Sequence, residues 1–405
     1  MNKKIAFGLK FSIFNLFLVA LLGVIMRYKI AFSFPFLSQK HIQESHYHFA
    51  FYGWIASCIY IFIAEYLHKT KPELNLKKYQ NLILVNFLAS YGILFSFLVG
   101  GHSWYSSAFS FVAILVGFGF FFAFIKDSKS IKYASKPWFL GGLFFAVFSS
   151  VGVFALIYMM MTKHILQDIY LGTSYFFLHF QYNGFFLFGC IGLLIYSLKE
   201  IGVELKPKEN RQIFWLLFIG CFVGFGLSIL WAKLPLWFFI LIVIATFMQT
   251  YGAIKLFQFI RINWSKIKIS WTPLQRLVLI YVGFAFGVKT FLQLASNIPA
   301  VSQFAFGFRN IVIAYLHLIL LMCISTFLVN QIVTHPYFKT SKLTLYGLKL
   351  FMIGIFLNEL ILGLMGVFSI KYIAIPHAHE TLVYVSGLIL LSVALIYIRL
   401  IPKKV

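Results

Sequence analysis

The chain has 405 residues, 61% of them hydrophobic and only 11% charged, with a mean hydropathy of +0.90. A soluble domain is about 45–50% apolar and about 25% charged, so a soluble globular protein is excluded. Cys58, Cys190, Cys221 and Cys323 all lie in apolar runs, which excludes a disulfide-built secreted protein. The net charge of +24 is scattered in small clusters between apolar segments, not gathered in one patch, which excludes nucleic acid as a partner.

What remains is an all-α polytopic membrane protein. In lipid each backbone polar group must be satisfied within its own helix, and about 20 apolar residues cross the hydrocarbon. Twelve transmembrane helices are predicted near 11–31, 42–66, 79–100, 105–125, 138–161, 171–197, 212–231, 235–259, 274–296, 309–333, 343–369 and 379–399. Together they make residues 1–405 a single transmembrane domain. The first apolar run is too long for a signal peptide, is followed at once by Arg27 and Lys29, and lacks a small-residue cleavage site.

Lys and Arg set the orientation. One set of alternate connections, with both termini, holds 25 of the 34 basic residues, and the other set holds 7. Both termini are therefore predicted to be cytoplasmic. The expected setting is a bacterial inner membrane, with anionic lipid as the main partner of the positive charge.

With that orientation, His68 and His335 are cytoplasmic and nine of the eleven histidines lie toward the outer side. His41, His102 and His164 read as interfacial, and His377 and His379 as a solvated loop. Three others sit inside apolar spans: His48 on the second, His179 on the sixth and His317 on the tenth. With Ser38 as N-cap of the second span, all three lie roughly 12 Å inside at 1.5 Å per residue. One such histidine is commonly an interhelical hydrogen-bond partner. Three at one depth suit a metal or haem site, because a six-coordinate low-spin haem takes two imidazoles from opposing helices. His46 is the other candidate on the second span. It lies about 200° round the helix from His48, so the two cannot face one site.

These features resemble subunit I of the haem–copper oxidases and nitric oxide reductases. His48 is followed by Tyr66-Leu67, as the low-spin haem histidine is in the reductases. His179 is followed by Asn183-Gly184, where the reductases carry Glu-Gly after a histidine that binds the non-haem metal. Ala314 to Met322 aligns in register with the family's tenth helix, where His317 takes the low-spin haem position. The resemblance implies an oxidase subunit I-like bundle. It implies a b-type haem on His48 and His317, with iron as its metal, and a second metal, copper or iron, at His179. It also implies an electron-donor protein or further subunit on the outer side. Arg309 and Lys371, in outer connections, would pair with haem propionates, as basic residues do in the family. The chain departs from the pattern at the binuclear centre. Tyr315 stands at the high-spin haem ligand position, Asn183 replaces the reductase Glu, and no histidine occurs between His179 and His317.

The expected function is therefore a haem-binding redox protein, for electron transfer or O2- or NO-related chemistry, with a low-spin site retained and the binuclear centre degenerate. Whether it is an oxidoreductase enzyme stays open at this level. Lys289 and Glu359, on the ninth and eleventh spans, read as a buried ion pair or as proton-handling groups. With the outer histidines they support the alternative, a proton-coupled transporter of a metal or small solute. A third reading is an assembly partner that keeps the fold without cofactors.

Overall fold

A computed structural model describes residues 2–403. The chain is an all-α, multi-pass integral membrane protein with twelve long apolar helices. In chain order these are α1 (Asn2–Ala31), α2 (Gln39–Thr70), α3 (Lys77–Gly100), α4 (Trp104–Asp127), α5 (Lys136–Thr162) and α6 (Gln167–Glu200). Then follow α7 (Pro207–Ile229), α8 (Leu236–Ile262), α9 (Pro273–Ala295), α10 (Arg309–Val333), α11 (Lys342–Ser369) and α12 (Ala378–Arg399). Every predicted span is present. Several helices start earlier than hydropathy placed them, α1 by nine residues, because an α-helix continues past the apolar stretch until a cap or a proline stops it. Pro207 and Pro273 occupy first-turn positions. Ser38 caps α2, and Thr272 and Gln275 form a reciprocal capping box on α9.

The chain forms two compact units. Unit 1 comprises Met1–Phe120 and Leu316–Val405, and unit 2 comprises Phe121–Tyr315. In unit 1, α12 packs on α11 and α1, α1 packs on α2, and α2 packs on α3. A short antiparallel pair, β1 (Phe338–Lys339) with β2 (Ile401–Pro402), ties the segment after α10 to the one after α12. In unit 2, α5 packs on α6, α7 on α8, and α8 on α9.

Two helices are core helices. In α2 and α6, 94% of the most apolar window is buried, against 33–50% in the other ten. A helix buried all round cannot show an amphipathic stripe, and these two tolerate polar residues because neighbouring helices satisfy them. Outside, large apolar side chains such as Leu88, Val99, Phe122, Phe247, Phe291 and Leu391 are exposed. A surface of this kind is stable in a lipid bilayer and not in water.

Three helices share a rare feature. Each of α2, α6 and α10 changes from α to π geometry in mid-span, at Ala50–Ala56, Phe180–Phe186 and Leu318–Ser325. π-Helix accounts for well under 1% of residues in proteins and concentrates at functional sites. The wider turn leaves carbonyls outside the ordinary ladder, and side chains meet several of them. Asn86 Nδ2 and Ser57 Oγ donate to Tyr52 O, each at 2.9 Å. Asn15 Nδ2 donates to Gly53 O at 2.6 Å, and Thr326 Oγ1 to Leu321 O at 2.9 Å. Trp54 Nε1 donates to Ser325 Oγ at 2.9 Å, joining the π segments of α2 and α10 within unit 1. The α6 segment lies against α5. A Cβ on Gly184 would stand 2.5 Å from Phe145 Cβ, and one on Gly152 would stand 2.6 Å from the Thr173 carbonyl oxygen.

Candidate functional site

The π segments begin one or two residues after His48, His179 and His317. The three histidines predicted from sequence thus mark the three places where a helix changes geometry. Their surroundings differ, and the differences decide what each imidazole can do.

In unit 1 the two α2 histidines diverge. His46 lies against α1, its Nδ1 donating to Val19 O at 3.0 Å. That bond places the proton on Nδ1 and leaves Nε2 as the nitrogen with a lone pair. His48 turns toward α3. Its ring stacks on Phe97 at 4.5 Å and 15°, its electrostatic neighbour is His102, and its Nδ1 is buried with no hydrogen-bond partner. His317, on α10, interacts electrostatically with Arg27 and His46. Its Nδ1 is also buried without a hydrogen bond and lies 4.0 Å from Glu359 Oε1. On α2, His46 is the electrostatic neighbour of His317, while His48 faces Phe97 and His102. Along their helices His46 and His317 stand seven and eight residues from the first helical residue, roughly 10 and 12 Å.

Arg27, on α1, interacts with His46, His317 and Glu359 alike. It was read from sequence only as a residue setting topology. Arg309 and Lys371, expected to face a cofactor, are exposed, at the start of α10 and in the α11–α12 connection. The cation inside the group is Arg27, placed there by the outer end of α1, which hydropathy treats as a span edge.

An iron porphyrin with two axial imidazoles needs Nε2 lone pairs on opposing helices and room between them. His46 and His317 supply the donor atoms. From Arg309 to His317, α10 is half-buried, with no fully buried residue. His46 keeps an Nε2 lone pair for such a group, with His317 as its electrostatic neighbour.

His179, in unit 2, does not fit a metal. Its Nε2 donates to the Cys221 carbonyl oxygen at 2.9 Å, and its Nδ1 accepts from Asn183 Nδ2 at 3.2 Å. Both ring nitrogens are engaged, so no lone pair remains for copper or iron. Among the described residues, no three His, Cys, Asp or Glu side chains form a set able to hold a metal ion. Asn183 is thus the hydrogen-bond partner of His179. Tyr315, also in unit 2, faces Tyr182, Asn183 and Cys221.

Lys289 and Glu359 have their observed partners in separate clusters. Lys289 is buried, with Nζ 3.4 Å from Gln249 Oε1 and with His179 and Cys221 as electrostatic neighbours. Gln249 in turn donates to Gly220 O at 2.6 Å. Glu359 accepts from Asn358 Nδ2 at 3.0 Å and faces His317. The ion-pair reading of these two residues gives way to two polar groups, one in each unit.

Two further clusters escaped the sequence. His335 Nε2 meets both oxygens of Glu65 at 3.0 Å, and Lys69 Nζ meets Glu65 Oε1 at 3.2 Å. Glu65 lies near the end of the buried part of α2 and His335 follows α10, so this ion group fastens one end of unit 1. Toward the other end Glu44 Oε1 lies 3.2 Å from His102 Nε2. Each cluster joins residues far apart in the chain, and neither spacing is a motif.

No protein-family model matches the chain, and no curated protein matches it either.

Proposed function

We propose that the protein is a haem-binding, integral membrane redox protein with an architecture like that of haem–copper oxidase subunit I, set in a bacterial inner membrane. The observation that carries this reading is the His46–His317 pair. The two imidazoles, on α2 and α10, are electrostatic neighbours within unit 1, and a π segment follows four residues after His46 and directly after His317. A b-type haem bound there supplies one-electron transfer between its ferric and ferrous forms.

The chain's own residues do the rest. Val19 O accepts from Nδ1 of His46, which fixes the tautomer that leaves the lone pair on Nε2. Arg27, the electrostatic neighbour of His46 and His317, would supply the positive charge that a propionate requires, in place of Arg309 and Lys371. His46 and His317 would hold the haem, and a haem held by two imidazoles would supply electron relay to a protein partner on the outer side. His179 and Tyr315 contribute packing in unit 2.

The test is the optical spectrum of the purified protein. A Soret band with sharp reduced α bands is expected. His46→Ala and His317→Ala should each abolish it, while His48→Ala should leave it in place. A colourless wild-type preparation from haem-replete cells overturns the reading. Loss of the band in His48→Ala with retention in His46→Ala would restore the pairing expected from register.

A further inference from the structure

The connection between α8 and α9, in unit 2, contains a short helix, Trp264–Ser270, on the face that carries most of the basic residues. It is braced. Lys266 Nζ donates to Gly202 O, in the α6–α7 connection, at 2.6 Å, and Arg276 Nη1 donates to Lys268 O at 3.1 Å. Ile267 is fully buried beneath it. At 100° per residue Ile269 stands about 200° round the helix from Ile267, and it is 87% exposed. Ile262, at the end of α8, is 79% exposed. Exposed cations adjoin both isoleucines: Arg261 precedes Ile262, and Lys268 precedes Ile269. Half-buried Trp264 and Trp271 bound the helix, and tryptophan gathers at the level of lipid headgroups.

We propose that this connection is a docking surface for anionic phospholipid: Ile262 and Ile269 enter the boundary between headgroups and acyl chains, and Arg261 and Lys268 pair with lipid phosphate. The surface is independent of the haem reading and needs no cofactor. Charge complementarity selects the occupant. A basic segment with apolar side chains beside its cations binds through buried apolar area and through attraction to anionic headgroups, and it seats its apolar face about 5–10 Å into the boundary. An acidic protein surface matches the cations alone, and zwitterionic lipid matches the isoleucines alone. Position agrees with lipid as well. The connection joins two membrane-spanning helices, so it lies at the membrane edge. The two braces hold the helix in place, so the isoleucines are presented before any lipid binds.

The experiment attaches an environment-sensitive fluorophore to Ile269→Cys, in a variant whose native cysteines are replaced by Ser or Ala. The purified protein is reconstituted in vesicles of equimolar phosphatidylcholine and phosphatidylglycerol, with one or the other lipid brominated as a quencher. Brominated phosphatidylglycerol should quench more strongly than brominated phosphatidylcholine. Adding Arg261→Gln with Lys268→Gln should make the two equal while both still quench. Adding Lys129→Gln with Lys132→Gln instead, on the α4–α5 connection of the same basic face, should leave the preference unchanged, which separates this surface from the general attraction of that face. Should the first pair fail to fold, Lys268→Gln alone decides, and an undiminished preference there overturns the proposal. Equal quenching by the two lipids before any charge is removed also overturns it. So does a label that neither lipid quenches, and one that is unquenched in vesicles yet shielded from aqueous iodide in native membranes gives the surface to a protein instead.

Discussion

His46 and His48 are two residues apart, yet one rests on a backbone carbonyl of α1 and the other on the face of Phe97 in α3. Both are histidines on one helix, so only the neighbouring helices separated an imidazole bonded through Nδ1 from one packed on an aromatic face. His179 makes the same point in the opposite direction. It was the histidine assigned to a second metal, and it proves to be fully bonded: the Cys221 carbonyl accepts from one nitrogen and Asn183 donates to the other. The prediction at this scale is that Asn183→Leu leaves haem absorbance unchanged and lowers stability. It strands Nδ1 of a histidine that is 1% exposed, at a cost of about 1–3 kcal/mol. Thermal unfolding in detergent, followed by circular dichroism, measures it. An unchanged melting profile would show that the bond contributes nothing, and a lost Soret band would return His179 to the haem site.

At the scale of the helix, the π segments have a consequence for position. A π turn is in effect one extra residue in an α-helix, and one residue is about 100° of rotation. In α2 the extra residue sets how His46 and His48, before Ala50, are turned relative to Glu65 at the far end. Deleting Ala50 should let the segment relax to α-helix and swing the histidines about 100° against the rest of α2. The expected result is loss of the haem bands with helical circular dichroism preserved. Retained bands would mean that the π geometry has no part in placing the ligand. The sequence carried part of this. It marked α2 as a span with polar residues, but the π stretch is held by Asn15, Ser57 and Asn86, two of them on other helices, and no local pattern announces that.

For the whole molecule, the arrangement of charge gives the clearest expectation. Twelve crossings return the chain to the face from which it started, and 25 of 34 basic residues fall on that face. Single cysteines at Lys71, Lys129, Lys206, Lys266 and Lys339, in a variant whose native cysteines are replaced by Ser or Ala, should resist a membrane-impermeant maleimide added to intact cells. Cysteines at His102, His164 and Lys371 should react. Labelling of Lys206→Cys or protection of Lys371→Cys would reverse or break the topology.

Sequence by itself determined the class, the number of spans and their order, because burying backbone in lipid demands long apolar helices, and hydropathy reports that demand residue by residue. It also picked out α2, α6 and α10, since an imidazole inside an apolar span stands out against its neighbours. Tertiary structure decided which imidazoles are available. That depends on hydrogen bonds between helices: Val19 O to His46, Asn183 and Cys221 to His179, Glu359 opposite His317. It also brought Arg27 into the group and fastened Glu65 to His335 across 270 residues of chain. Such contacts follow from how helices pack, and packing fixes directions around each helix that one-dimensional spacing leaves open.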